Sequence, residues 1–241
     1  MQDFLVDENL KKKYDGYYEE GDSEWRWIAA MNKANNIISL CKNHPHNSIL
    51  EIGAGEGSIL KWLSERMFGK ELYGLEISIS GVETIQKKQI KSLIECKLFD
   101  GYNTSYENNK FDLAILSHVL EHVEYPRKLI YEASRIAKYL FIEVPLEDTR
   151  RLPYDFISYK VGHINFYSPK TIRILIQTCN LDILSQNITN PSRQVYMYQS
   201  GNRGVIKYFV KELLLKLVPR IAINIFTYHS SLLCGKKNQH A

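Results

Sequence analysis

The chain has 241 residues, 44% hydrophobic and 24% charged, with 31 Lys and Arg against 27 Asp and Glu, a net charge of +4. That is enough chain for one sizeable core and cramped for two, and the composition excludes a disordered or fibrous protein. The start, Met1 to Glu8, carries Asp3, Asp7 and Glu8 instead of a basic-then-apolar leader, no apolar run is long enough to span a bilayer, and Cys41, Cys96, Cys179 and Cys234 form no CxxC pair, so a cytoplasmic protein with reduced thiols is expected.

Residues 1–24 are polar and Tyr-rich. Trp25, Trp27, Ile28, Met31, Ala34, Ile37, Ile38 and Cys41 then recur at helical spacing up to Pro45. Ser48 to Ile52 reads as a short apolar strand running into Gly53-Ala54-Gly55-Glu56-Gly57, with a helix from Ser58. Glu71 to Glu76 is a second strand, Gly81 to Lys91 a helix, and Leu93 to Phe99 a third strand ending at Asp100-Gly101. Phe111 to Leu116 is a fourth strand, Pro126 to Ile136 a helix, and Tyr139 to Val144 a fifth strand stopped by Pro145. Five apolar strands separated by helices predict a parallel sheet covered on both faces, because parallel pairing needs helical crossovers.

After Pro145 the alternation breaks. Residues 146–168 form a long segment with Arg150, Arg151, Tyr154, Tyr159, Lys160, His163 and Tyr167, too long for a plain connector. Ser168-Pro169 predicts the cap and first position of a helix through Cys179, and Leu181 to Leu184 a sixth strand. Val205 to Phe226 is a basic amphipathic helical segment interrupted by Pro219, and Thr227 to Cys234 a final strand. Seven basic residues against Glu212 alone between Asn202 and Ala241 give +6 there and leave the first 201 residues at −2, so the basic excess belongs to the tail and predicts no nucleic-acid partner. Such a helix has the character of a membrane-surface element, but docking on its own domain, or on a second subunit as a homodimer, is the expected use.

The first glycine turn carries the chemistry. A dinucleotide site wants G-x-G-x-x-G, so that a pyrophosphate rests on an open helix N-terminus, whereas this turn is G-x-G-x-G with Glu51 before it and Glu56 inside it. Acids there repel a pyrophosphate and attract an ammonium or sulfonium. Gly53 and Gly55 let a ligand approach the main chain. Glu76, about twenty residues on, is placed to accept from both hydroxyls of a ribose, and Asp100 to accept from an adenine amine. A cationic head, a ribose and an adenine together describe S-adenosylmethionine.

Leu50 to Gly57, Glu76, Asp100, and Phe111 to Ser117 followed by His118-Val119-Leu120-Glu121-His122 resemble the successive motifs of class I S-adenosylmethionine-dependent methyltransferases over roughly residues 45 to 185. The resemblance implies a Rossmann-like three-layer α-β-α sandwich of the α/β class, with a mostly parallel seven-stranded sheet containing one antiparallel strand. It implies one domain over 1–241: a lid and helix (1–44), a cofactor-binding core (45–145), and an acceptor side with the last strands and basic insert (146–241). It further implies cofactor contacts from Glu51, Gly53, Gly55, Glu76, Ile77, Asp100, Gly101, Ser117 and His118. Tyr14, Tyr17, Tyr18, Trp25 and Trp27 would supply the lid, although helix packing alone explains at least one tryptophan.

Methyl transfer from a sulfonium is a direct displacement, so the protein mainly aligns the acceptor and excludes water. An alcohol acceptor also needs a base near neutrality, and the candidates are His118, His163 and His122, with His118 and His163 preferred as catalytic and His122 as structural. His118 to His122 also matches an H-x-x-E-H pattern, expected on a helix with His118 and His122 one turn apart. A peptidase is rejected because the other motifs bind a nucleoside, and no metal is expected; a divalent ion on His118, Glu121 and His122 is the alternative that quinone-pathway relatives suggest. Gly162 to Arg173 resembles the loop over the active site in small-molecule members. Arg150, Arg151 and Lys160 suggest an anionic acceptor. The whole resembles bacterial tailoring enzymes that methylate an oxygen of sugar, phosphoryl or phosphoramidate-type precursors of surface and capsule polysaccharides. An N-methyltransferase, a quinone-type O-methyltransferase and a non-catalytic cofactor-binding partner remain alternatives.

Overall fold

The computed structural model describes residues 23–153 and 162–237. The expectations for Tyr14, Tyr17, Tyr18, Tyr154, Tyr159 and Lys160 lie outside the described residues. In chain order the elements are α1 (Ser23–Cys41), β1 (Ser48–Ile52), α2 (Ser58–Glu65), β2 (Glu71–Glu76), α3 (Ile79–Lys87), β3 (Leu93–Leu98), β4 (Phe111–Ser117), α4 (Pro126–Ile136), β5 (Ala137–Pro145), α5 (Pro169–Gln177), β6 (Leu181–Thr189), α6 (Arg193–Leu217), α7 (Pro219–Ile225) and β7 (His229–Lys236).

The sheet order is β3-β2-β1-β4-β5-β7-β6, parallel except that β7 runs antiparallel to both β5 and β6. This is the expected Rossmann-like three-layer sandwich. Its two faces are separately packed. One core joins Leu129, Ile130 and Ala133 of α4 with Ile172 and Ile176 of α5 under the sheet; the other joins Ala34 and Ile37 of α1, Leu60 and Leu63 of α2, and Ile85 of α3. Burial on both faces is why β1 and β4 read as mostly apolar segments without a polar-apolar alternation.

Local chemistry sets the element starts. Ser168 caps α5 in a reciprocal box with Thr171, with Pro169 at the first position, as the sequence predicts. Ser78 caps α3 by accepting from the Gly81 amide.

Two expectations are corrected. His118 to Tyr125 is not helical: His118 has a φ of 58° and the chain turns until Pro126 starts α4, so His118 and His122 do not share a helix face. The basic insert begins at Arg193 rather than Val205 and bends at Ser200-Gly201, where Gly201 takes a φ of 56°. It docks on its own domain through buried Val195, Tyr196 and Lys211, while Ile206, Phe209, Leu213 and Leu217 stay exposed on its outer face.

Candidate active site

The winding reverses between β1 and β4, where crossovers leave in opposite directions and open a crevice at the carboxyl ends of the strands. The glycine turn sits there. Gly53, Gly55 and Gly57 all take positive φ, at 74°, 57° and 77°, and the amides of Gly53 and Ala54 donate to Leu75 O, fastening the turn to β2. Glu76, buried at the end of β2, accepts from the Gly55 amide at 2.7 Å and the Ser78 amide at 3.0 Å, one per carboxylate oxygen. Glu51 is 2% exposed, its Oε2 has no hydrogen-bond partner, and burial pushes its carboxyl up to about 8. Ser117 Oγ is likewise buried and unpartnered.

The other cofactor candidates lie on the β2–β3 side. Asp100 accepts from the Tyr102 and Asn103 amides, both at 2.7 Å, and from Asn103 Nδ2 at 2.8 Å. Burial opposes its charge, but these bonds hold the carboxyl below the usual range. Gly101 follows with a φ of 99°, and half-buried Ile77 packs against the core. Glu56, read above as part of the cation-attracting wall, is instead neutralised: Arg26 Nε lies 3.2 Å away, Lys88 Nζ 3.2 Å away, and Ser58 Oγ donates to it. That leaves Glu51 as the unpaired acid of the turn, with Oε2 open to a donor.

A cavity of about 700 Å³ opens over this edge. Among the predicted residues Glu51, Gly53, Gly55, Ser117, His118 and His163 line it, whereas Glu76, Ile77, Asp100 and Gly101 lie beyond its lining. Because β7 runs antiparallel, its beginning, with His229, arrives at the same edge as the ends of β1 and β4. The segment before α5 is pinned over the turn after β4. The amides of Ile164 and Asn165 donate to Glu121 O, and Asn165 Nδ2 to Leu120 O and Val123 O. His122 Nδ1 is 3.2 Å from Gly162 O, a contact to this segment and not the helix-end anchor expected of it. With neighbours doing the pinning, the His163 ring faces the cavity, its Nδ1 2.6 Å from Glu147 Oε2.

His118 sits between two buried acids. Its Nδ1 is 3.1 Å from Glu121 Oε1 and its Nε2 3.4 Å from Glu143 Oε1. Burial favours the neutral ring, yet the two carboxylates raise its pKa. The H-x-x-E-H residues thus divide: His118 joins Glu143 and His229, and His122 joins His163, ring centroids 4.7 Å apart.

Sequence reading missed Glu143, Glu147, Lys33 and His229. A signal existed for Glu143, a lone acid inside the apolar run Phe141-Ile142-Glu143-Val144. None existed for His229. Arg150 and Arg151 do not line the cavity: the Arg151 guanidinium stacks 4.6 Å over the Phe226 ring, the Arg150 amide donates to Asn224 O, and the cavity's cations include Lys33, Lys207 and Lys211. Trp27 stacks on Trp62 at 4.4 Å, which accounts for it by packing, while Trp25 lines the cavity.

A family model described as a methyltransferase domain matches residues 26–186. The chain is 30% identical over 125 residues to the uncharacterized protein MJ1123 of Methanocaldococcus jannaschii, a match spanning 52% of this chain and only 56% of that relative. Among solved structures, it superimposes on a SAM dependent methyltransferase from Aquifex aeolicus with a TM-score of 0.57 at 16% identity, covering 95% of this chain and 98% of that one. Phospholethanolamine N-methyltransferase 2 of Haemonchus contortus, in complex with phosphomonomethylethanolamine and S-adenosylhomocysteine, gives 0.61 at 14% identity, covering 93% and 60%. The [4+2]-cyclase SpnF gives 0.63 at 14% identity, covering 86% and 80%. Likeness at this distance shows the fold, and the last case shows that the fold hosts more than one chemistry.

Proposed function

Since the chain belongs to the methyltransferase domain family, matched over residues 26–186, we propose that it methylates a hydroxyl of a small polar molecule, with His163 as the general base. The methyl donor is S-adenosylmethionine, and the residues present fit it. Glu51 Oε2 and Ser117 Oγ are buried, unpartnered acceptors beside the glycine turn, suited to an α-amino group. Glu76, fixed by the Gly55 and Ser78 amides at the end of β2, would face the ribose hydroxyls. Asp100 and Gly101 would border the adenine. Bound S-adenosylmethionine supplies an electrophilic methyl group on a sulfonium.

The single observation that carries the hydroxyl reading is the His163–Glu147 pair in the same cavity as the glycine turn. Glu147 accepts from Nδ1–H, which puts the basic lone pair on Nε2 and stabilises the imidazolium formed when His163 takes the acceptor's proton. The pinned segment Gly162–Tyr167 walls the cavity and limits water. His118, held by Glu121 and Glu143, is a positioning residue beside the methionine end. The acceptor class we favour is a sugar-type alcohol of the kind found in surface-polysaccharide precursors, with Lys33 and Lys207 available to a phosphoryl group on the same molecule. N-methylation is the second reading, favoured by Glu121, whose two buried oxygens lack hydrogen-bond partners and suit a cationic amine.

The test is S-adenosylhomocysteine release by the full chain over a panel of nucleotide-linked sugars, free sugars, phosphorylated alcohols and primary amines. Turnover on hydroxyl compounds that collapses in His163→Ala is expected. Turnover on amines alone, retained in His163→Ala, would replace the hydroxyl reading.

A further inference from the structure

We infer that His118, Glu143 and His229 form a binding site for a divalent transition metal, zinc by ligand type, at the floor of the cavity. The inference concerns the cofactor-free chain and does not depend on the acceptor reading.

Three donor atoms converge there from three strand ends. His118 follows β4, Glu143 lies in β5, and His229 begins β7. Their ligand atoms all lie within 4.8 Å of one another. His118 Nε2, Glu143 Oε1 and His229 Nδ1 are each buried without a hydrogen-bond partner. Buried polar atoms left unmade are costly, so three in one place call for an explanation. The separation of 3.4 Å between His118 Nε2 and Glu143 Oε1 equals the edge expected, about 3.4 Å, for a tetrahedral ion with bonds near 2.1 Å.

The surrounding contacts orient the set as metal ligands are oriented. Glu143 is fully buried, and its other oxygen accepts from Asn36 Nδ2 at 2.7 Å and from Ser231 Oγ at 2.5 Å, so Oε1 is the atom turned to the cluster. The other nitrogen of His118 lies 3.1 Å from Glu121 Oε1, so a carboxylate stands behind the ring on the side away from Nε2. Two imidazoles and one carboxylate leave a fourth position for water or an acceptor atom, the donor set of open zinc and non-haem iron sites. Charge agrees: Glu121 and Glu143 both border His118, and a dication among the ligands would offset them with the ring neutral. The competing arrangement is a protonated His118 bridging Glu121 and Glu143, which needs no ion and gives His229 no role.

The two separate experimentally. The full chain, purified without chelator, is loaded with Zn²⁺, desalted and assayed by mass spectrometry for metal, with Co²⁺ absorption as the ligand-field readout. A single zinc per chain, released by EDTA, with tetrahedral Co²⁺ bands, is expected. His229→Ala should abolish retention, and Ser231→Ala, which frees only the Glu143 carboxylate, should weaken affinity by about tenfold to a hundredfold. Absence of bound metal at micromolar Zn²⁺, or wild-type affinity in His229→Ala, overturns the site. Loss in His122→Ala with retention in His229→Ala overturns it equally, by moving the ion to the other histidine cluster. If His229→Ala does not fold, wild-type affinity in Ser231→Ala is the overturning result.

Discussion

The two ends of the crevice are built in opposite ways. On the β1–β3 side the residues proposed for the cofactor sit at the ends of three neighbouring strands: Gly53 and Gly55 within one turn, Glu76 bonded to Gly55, and Asp100 bonded to Tyr102 and Asn103. On the β4–β7 side the groups come together from more separate parts of the chain, α1 and β7 among them. His118 meets Glu143 and His229, Glu147 meets His163, and Asn36 meets Glu143 from α1. Under the proposed function, the first side serves donor recognition and the second selectivity and proton transfer.

Changes confined to one side should leave the other intact. The largest effect is expected from His163→Ala: turnover falls by about a thousandfold, the range of a lost general base, while calorimetry finds cofactor affinity within about twofold. Equal losses in both would break the division. Glu76→Ala is its mirror image, lowering cofactor affinity by about a hundredfold through the loss of charge-assisted hydrogen bonds, with metal retention at the β4–β7 end unchanged.

Smaller effects sharpen the same boundary. Gly53→Ala places a Cβ 2.7 Å from Val119 Cγ2 at a φ of 74°, and thermal unfolding should show a loss of about 1–2 kcal/mol. Glu51 gives an effect with a pH signature. Its carboxyl stands at about 8 in the folded chain against 4.5 ordinarily, so between those values the folded state holds a proton that the unfolded state has lost. Stability therefore falls as pH rises through this window. Glu51→Gln removes the dependence, and its melting temperature should exceed that of the wild type most at pH 8 and above, the gap closing toward pH 4.5. A pH-independent gap would show that Glu51 is already ionised.

The apolar runs of β1, β2, β4 and β5, the Ser168-Pro169 helix start and the glycine bend were all legible, because each is a pattern within about ten residues. The turn at His118 was not, since Val119 and Leu120 continue an apolar periodicity that a helix would share; the positive φ of His118 ends it. The place of Arg151 was hidden for a related reason. Nothing near Arg151 in sequence shows that Phe226 waits beneath its guanidinium. Glu56 looked like a free acid because its partners, Arg26 and Lys88, come from two helices about thirty residues away on either side.

By itself the amino-acid order determined the alternation of strands and helices, the bend after β1, and the acids that close β1, β2 and β3, because hydrophobic period, backbone freedom and strand-end position are properties of neighbours. Only the tertiary structure decided which of the remaining charges face one another. The antiparallel entry of β7 carries His229 to the mouth of the sheet beside His118 and Glu143, a meeting set by topology and burial across more than a hundred residues of chain.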